Sequence, residues 1–144
     1  MKKLLALILI SLPFGLIAGD LTWETDYEKA IKMATEQNKV VLINFSGSDW
    51  CGWCKRLDRE VFSKEAFKTF ADEKLVLLKV DFPKFTKLPK EQEDRNWALY
   101  EKYNVMGFPT ILVVDKSGNT KVQTGYQRGG AEAYIDHLTS RYQF

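Results

Sequence analysis

The chain has 144 residues, 45% of them hydrophobic and 28% charged, which suits one globular domain with an adequate core and excludes a disordered or fibrous protein. Its net charge is +2, and the excess lies at the start: residues 1–19 carry Lys2 and Lys3 and no acid, so the remainder holds 19 basic and 19 acidic residues. A balanced chain offers a polyanion little, so no nucleic-acid partner is expected.

Met1-Lys2-Lys3 is followed by an apolar stretch from Leu4 to Ile17, interrupted by Ser11, Pro13 and Gly15, and then by small residues Ala18-Gly19 before Asp20. These are the basic, apolar and cleavage regions of a secretory signal peptide. The stretch is shorter than the roughly 20 apolar residues a membrane span needs. With no cysteine near Asp20, a lipid anchor has no attachment point. The sequence therefore predicts a signal peptide over 1–19, a mature domain over 20–144, export to a periplasmic or secreted location, and no membrane span after cleavage.

Thr25-Asp26-Tyr27-Glu28 matches a capping box, and Tyr27, Ala30, Ile31 and Ala34 follow at helical spacing, which predicts a helix over 26–38. Val40 to Phe45 is a short apolar run suited to a strand covered on both faces. Ser46-Gly47-Ser48-Asp49 supplies turn chemistry, and a helix is expected to begin at Cys51. Ser63 reads as the N-cap of a further helix bearing Ala66, Phe67 and Phe70, with a kink near Val61-Phe62. Leu75 to Asp81 is a second buried-type strand, ended by Pro83. Residues 82–88 form a basic loop, and Pro89 suits the first turn of a helix through Trp97, Tyr100 and Tyr103. Thr110 to Val114 and Thr120 to Thr124 make a hairpin across Asp115-Lys116-Ser117-Gly118, and Ala131, Tyr134, Ile135 and Leu138 mark a closing helix. The order is α/β, a βαβ unit feeding an antiparallel pair.

The only two cysteines, Cys51 and Cys54, stand two residues apart after the first strand. Such thiols can close a disulfide and reopen it. Attack on a disulfide requires a thiolate, and an ordinary thiol with a pKa of about 8.5 is mostly protonated at neutral pH. At a helix start, Cys51 faces unpaired N–H groups and the positive end of the helix dipole, which stabilise its anion. Cys51 is the expected nucleophile. Cys54, one turn on, is placed to attack a mixed disulfide on Cys51 and release the partner. A zinc site lacks ligands, since His137 is the sole histidine, and no metal is expected. Haem attachment would need histidine where Lys55 stands. A purely structural bridge across so short a loop would constrain the unfolded chain little.

Trp50-Cys51-Gly52-Trp53-Cys54-Lys55, the strand end Lys79-Val80-Asp81 and Gly107-Phe108-Pro109-Thr110 together resemble the thioredoxin-like family. Gly47-Ser48-Asp49 before that motif and Glu60-Val61-Phe62 after it resemble its exported, disulfide-interchange branch. The resemblance covers nearly all of residues 20–144. It implies a thioredoxin-like fold with a central mixed sheet of about four to five strands flanked by helices. It also implies Cys51 as attacking thiol, Cys54 as resolving thiol, and a cis Pro109 that leaves the Phe108 backbone free to pair with substrate. Trp50, Gly52 and Trp53 would flank the bound chain.

Two departures stand out. Thioredoxins usually carry a buried aspartate beneath the resolving cysteine, and Asn44 holds that strand position here. Lys79 then lacks its partner, and Asp49 is the nearest acid by sequence to support proton transfer. The central pair Gly52-Trp53 places no cation between the thiols, which favours a reductase over a strong oxidase, although Lys55 and Arg56 follow.

The expectation is an exported thiol:disulfide oxidoreductase acting as a reductase of protein disulfides. It needs no cofactor beyond the redox-active Cys51-Cys54 pair and draws electrons from a membrane-bound thiol donor. The loop from Lys84 to Lys87 and the helix with Trp97 could dock that donor. The alternatives are a disulfide oxidase or isomerase, and a non-catalytic thioredoxin-fold binding module.

Overall fold

The computed structural model describes residues 20–144, so the expected signal peptide lies outside the described residues. In chain order the elements are β1 (Trp23–Glu24), α1 (Tyr27–Gln37), β2 (Val40–Ser46), α2 (Gly52–Leu57) running into a π-helical turn (Asp58–Phe62), α3 (Glu65–Lys74), β3 (Leu75–Asp81), α4 (Lys90–Lys102), β4 (Thr110–Val114), β5 (Thr120–Thr124) and α5 (Gly130–Thr139). The strands form one five-stranded mixed sheet in the order β1-β3-β2-β4-β5. β1, β3 and β2 are parallel, while β4 runs antiparallel to both β2 and β5. This is the thioredoxin-like α/β architecture that the motifs imply.

β1 is absent from the sequence reading because two residues carry no periodicity; only the pairing of Trp23 with Leu77 and Glu24 with Leu78 makes them a strand. Helix α1 is capped one residue later than the capping box suggests. Asp26 Oδ1 accepts the Lys29 N–H at 2.9 Å, whereas the Thr25 carbonyl accepts from Gln92 Nε2. A carboxylate at the positive helix end outcompetes a hydroxyl.

Ser63 is not the N-cap of α3. Its N–H donates to the Asp58 carbonyl at 2.9 Å, the five-residue step of a π turn, and its hydroxyl turns back to Arg59 O. Helix α3 starts after Lys64 without a side-chain cap. The expected kink is therefore a widened turn continuous with α2. Pro89 stands just before α4 as its cap.

Alternation along β2 divides the core in two. Leu42 packs with Leu57, Val61, Phe67, Tyr134 and Leu138 on the α2, α3 and α5 side. Val41, Ile43 and Phe45 pack with Ala30, Ala34 and Leu99 on the α1 and α4 side. Because β2 is central and buried on both faces, the loop at its C-terminal end starts from a fixed point. That loop carries the cysteines.

Candidate active site

The chain leaves β2 at Ser46 and turns at Gly47, whose carbonyl accepts the Cys51 N–H at 2.8 Å and the Trp50 N–H at 3.2 Å. This tight turn delivers Cys51 as the N-cap of α2, in extended backbone (φ −81°, ψ 108°). Its Sγ accepts the Cys54 N–H at 3.2 Å. The sulfur thus occupies the place where a serine or aspartate normally satisfies the first helical turn. Cys51 and Cys54 form a disulfide with Cα atoms 5.3 Å apart, and both are buried, at 6% and 2% exposure.

The Phe108-Pro109 bond is cis, and the Phe108 ring meets Trp50 edge-on at 5.9 Å. Trp50 also donates from Nε1 to the Phe82 carbonyl at 2.8 Å. Gly52 faces open space. Trp53 is half-exposed and packs on Tyr126 at 5.1 Å, with the Arg56 guanidinium over both rings. Glu60 fixes this stack by accepting from Arg56 Nε at 2.7 Å and from the Tyr126 hydroxyl at 2.6 Å. Lys55 reaches back to the Asp49 carbonyl. Both cations after the cysteines are thus engaged away from the sulfurs.

Asp49 anchors a loop. Its carboxylate accepts the N–H groups of Lys84, Phe85 and Thr86 at 2.8 to 2.9 Å. Partial desolvation pushes its pKa up, but these backbone donors outweigh that and hold it below the ordinary carboxylate range. A carboxylate so bound keeps its charge, which suits an anchor better than a proton acceptor.

The polar residues beneath the helix tell a different story. Asn44 pairs with Lys79 and Ser46 with Asp81 across β2 and β3, on the α2 face of the sheet. Asn44 Oδ1 and Ser46 Oγ are buried without a hydrogen-bond partner among the described residues. Ser48 donates from its N–H (2.9 Å) and hydroxyl (2.5 Å) to the Asp81 carboxylate. Into this polar patch comes Asp58, four residues beyond Cys54 and so one turn below it on the same helix face. Burial holds the Asp58 carboxyl above its ordinary pKa, the Asp81 charge adds to the effect, and Lys79 opposes it. The sequence reading does not single out Asp58; its i+4 spacing from Cys54 is the signal that points to it.

Gly47 is required by Trp50. A Cβ on Gly47 would clash with the indole Cε2 of Trp50. Gly47→Ala is expected to expel the ring, break its bond to the Phe82 carbonyl, red-shift tryptophan emission and slow disulfide reduction several-fold. A variant with unchanged emission and rate would contradict that seating.

A model of the thioredoxin-like domain matches residues 27–139. The chain belongs to the thioredoxin-like family. Disulfide bond reductase DsbH of Chlamydia pneumoniae is 34% identical over 85% of this chain and 74% of its own length. Thiol:disulfide interchange protein DsbD of Actinobacillus pleuropneumoniae is 31% identical over 65% of this chain, but that spans only 14% of its own length. A solved structure of a DsbH oxidoreductase superposes with TM-score 0.83 at 31% identity, covering 94% of each chain. The C-terminal domain of Neisseria meningitidis DsbD, at 20% identity, TM-score 0.60 and coverage of 85% and 99%, shares the fold. With its cysteine pair at the helix start, this family member is by class a thiol:disulfide oxidoreductase.

Proposed function

We propose that the protein is an exported reductase of protein disulfides. The observation that carries this reading is the Cys54 N–H bond to the Cys51 sulfur, which stabilises a thiolate on the thiol nearer the surface. In the reduced protein, the Cys51 thiolate attacks one sulfur of a client disulfide, breaking that bond and forming a mixed disulfide while one client thiolate leaves. Cys54 then loses its proton to the Asp58 carboxylate and attacks Cys51 Sγ. The Cys51-Cys54 disulfide forms, the second client thiolate leaves, and Asp58 returns the proton to it. Two electrons pass to the client. A thiol donor restores the dithiol by the reverse exchange, and no prosthetic group is involved.

The direction of flow follows from what surrounds the sulfurs. A strong oxidant needs its thiolate stabilised beyond the helix terminus, and Lys55 and Arg56 are both engaged elsewhere. The name of the Chlamydia relative, a reductase, agrees. Export rests on the basic and apolar run of residues 2–17 with Ala18-Gly19 behind it. A domain outside the cytosol must then draw electrons across a membrane, which makes a membrane-bound thiol protein the expected donor. No helix among the described residues is long and apolar enough to cross a membrane itself.

Equilibration of the Cys51-Cys54 pair against glutathione tests the reading. A potential well below that of a protein disulfide isomerase, about −180 mV, is expected; one near −120 mV would make the protein an oxidase. Insulin reduction tests turnover alongside it, and client binding without turnover would make it a binding module.

A further inference from the structure

A groove of about 630 Å³ runs beside Trp50, between the loop 82–88 and α4. Sites of this size take a small molecule or a bulky side chain. Its floor is aromatic: Phe82 meets Trp97 at 4.8 Å and Phe108 at 5.2 Å, and Trp50, the residue before Cys51, lines it as well. Trp97 remains 45% exposed.

The groove is built in advance. Asp49 fixes the loop through three backbone N–H groups, Trp50 Nε1 holds the Phe82 carbonyl, and buried Asn96 donates from Nδ2 to the Asp81 carbonyl at 2.8 Å. Its rim is basic. Lys84 lies over the Trp50 ring at 3.9 Å, Lys87 also lines the groove, and neither has an ion-pair partner among the described residues. Lys90 is paired with Asp94. Of the lining acids, Asp81 is bound by Ser48 and only Glu93 is without a hydrogen-bonded partner among the described residues.

We propose that this groove receives an aromatic or other large apolar side chain of the client polypeptide, with neighbouring client carboxylates pairing with Lys84 and Lys87. The inference deepens the reductase reading and rests on it. Trp50 links the two places: it directly precedes Cys51 in the chain, and its ring meets Phe108, which lines the groove with it. A chain whose cysteine is joined to Cys51 therefore lies against the groove within a few residues. The protein selects clients with an acidic, apolar segment beside the disulfide, an electrostatic preference that salt weakens.

Fluorescent peptides containing a short disulfide loop test this, bearing Trp-Glu-Glu, Trp-Lys-Lys, Ala-Glu-Glu or Ala-Lys-Lys on one side. The second-order rate of their reduction by the pre-reduced protein is measured in low salt and in 0.5 M NaCl. The Trp-Glu-Glu peptide should react about tenfold faster than Ala-Lys-Lys, and the advantage of Glu over Lys should shrink in high salt. Lys84→Glu/Lys87→Glu should invert the Glu-to-Lys ratio. Lys87→Glu alone, which leaves Lys84 on Trp50, should reduce it. Equal wild-type rates for Glu and Lys peptides, or an unchanged ratio in both variants, overturns the assignment. If insulin is reduced while the four peptides show no order, the groove reading alone fails. If neither insulin nor any peptide is reduced, the reductase reading fails and the groove assignment falls with it.

Discussion

Cys51→Ala is expected to abolish disulfide reduction, with a loss on the order of 10³-fold or more, while Cys54→Ala is expected to react once and stop, covalently joined to its client. The asymmetry comes from the helix start. Cys51 is the residue whose sulfur accepts a first-turn N–H, and Cys54 is the donor of that bond, at 2% exposure. A client disulfide can reach the first sulfur more readily than the second. Removing Cys54 leaves the mixed disulfide with nothing to displace it except an outside thiol. Non-reducing gels of Cys54→Ala incubated with disulfide-bonded protein should show client adducts that dithiothreitol releases, and Cys51→Ala should show none. Adducts on Cys51→Ala but not on Cys54→Ala would reverse the assignment.

The second large effect concerns the proton on Cys54. Asp58→Asn is expected to slow resolution of the mixed disulfide about 10²-fold near neutral pH, the scale of a lost general base. A carboxyl accepts a proton only when ionised. Burial, helped by Asp81 and opposed by Lys79, raises the pKa of Asp58. The wild-type resolution rate should therefore climb with pH through a limb above the ordinary carboxylate range, and Asp58→Asn should lack that limb. Asp49→Asn should keep it while loosening the loop, seen as faster exchange of the amide hydrogens of Lys84, Phe85 and Thr86. Because Asn44 sits opposite Lys79 on the same face, Asn44→Asp in the Asp58→Asn background should restore part of the rate. Stopped-flow rates from pH 4 to 9 decide the matter; an Asp58→Asn profile matching wild type would remove Asp58 from the mechanism.

The sheet and the cysteine corner were legible because their signals are local. Val40 to Phe45, apolar except for Asn44, and Leu75 to Leu78 are short apolar runs, and Cys51 follows a turn after the first of them. What the sequence did not show depends on distant partners. The Trp23–Glu24 strand exists only through β3. Ser63 has the composition of a cap, yet the five-residue turn from Asp58 captures its N–H. Asp49 lies close to the cysteines in sequence, but three amides from residues 84–86 engage its carboxylate. Asp58 gains its character from Lys79 and Asp81 on a strand that comes seventeen residues later. Sequence proximity favoured the first acid, and the direction of a helix face favours the second.

The parallel pairing of β1, β2 and β3 has a consequence for attachment. Both cysteines lie past the C-terminal end of β2. The described chain begins at the other end of the sheet, where Asp20 sits near Lys39, Asp72 and Leu75. It also finishes there, with Phe144 against Phe70 and beside Lys39 and Val40. A tether at either end, whether an affinity tag or a fused partner, leaves the redox pole pointing outward.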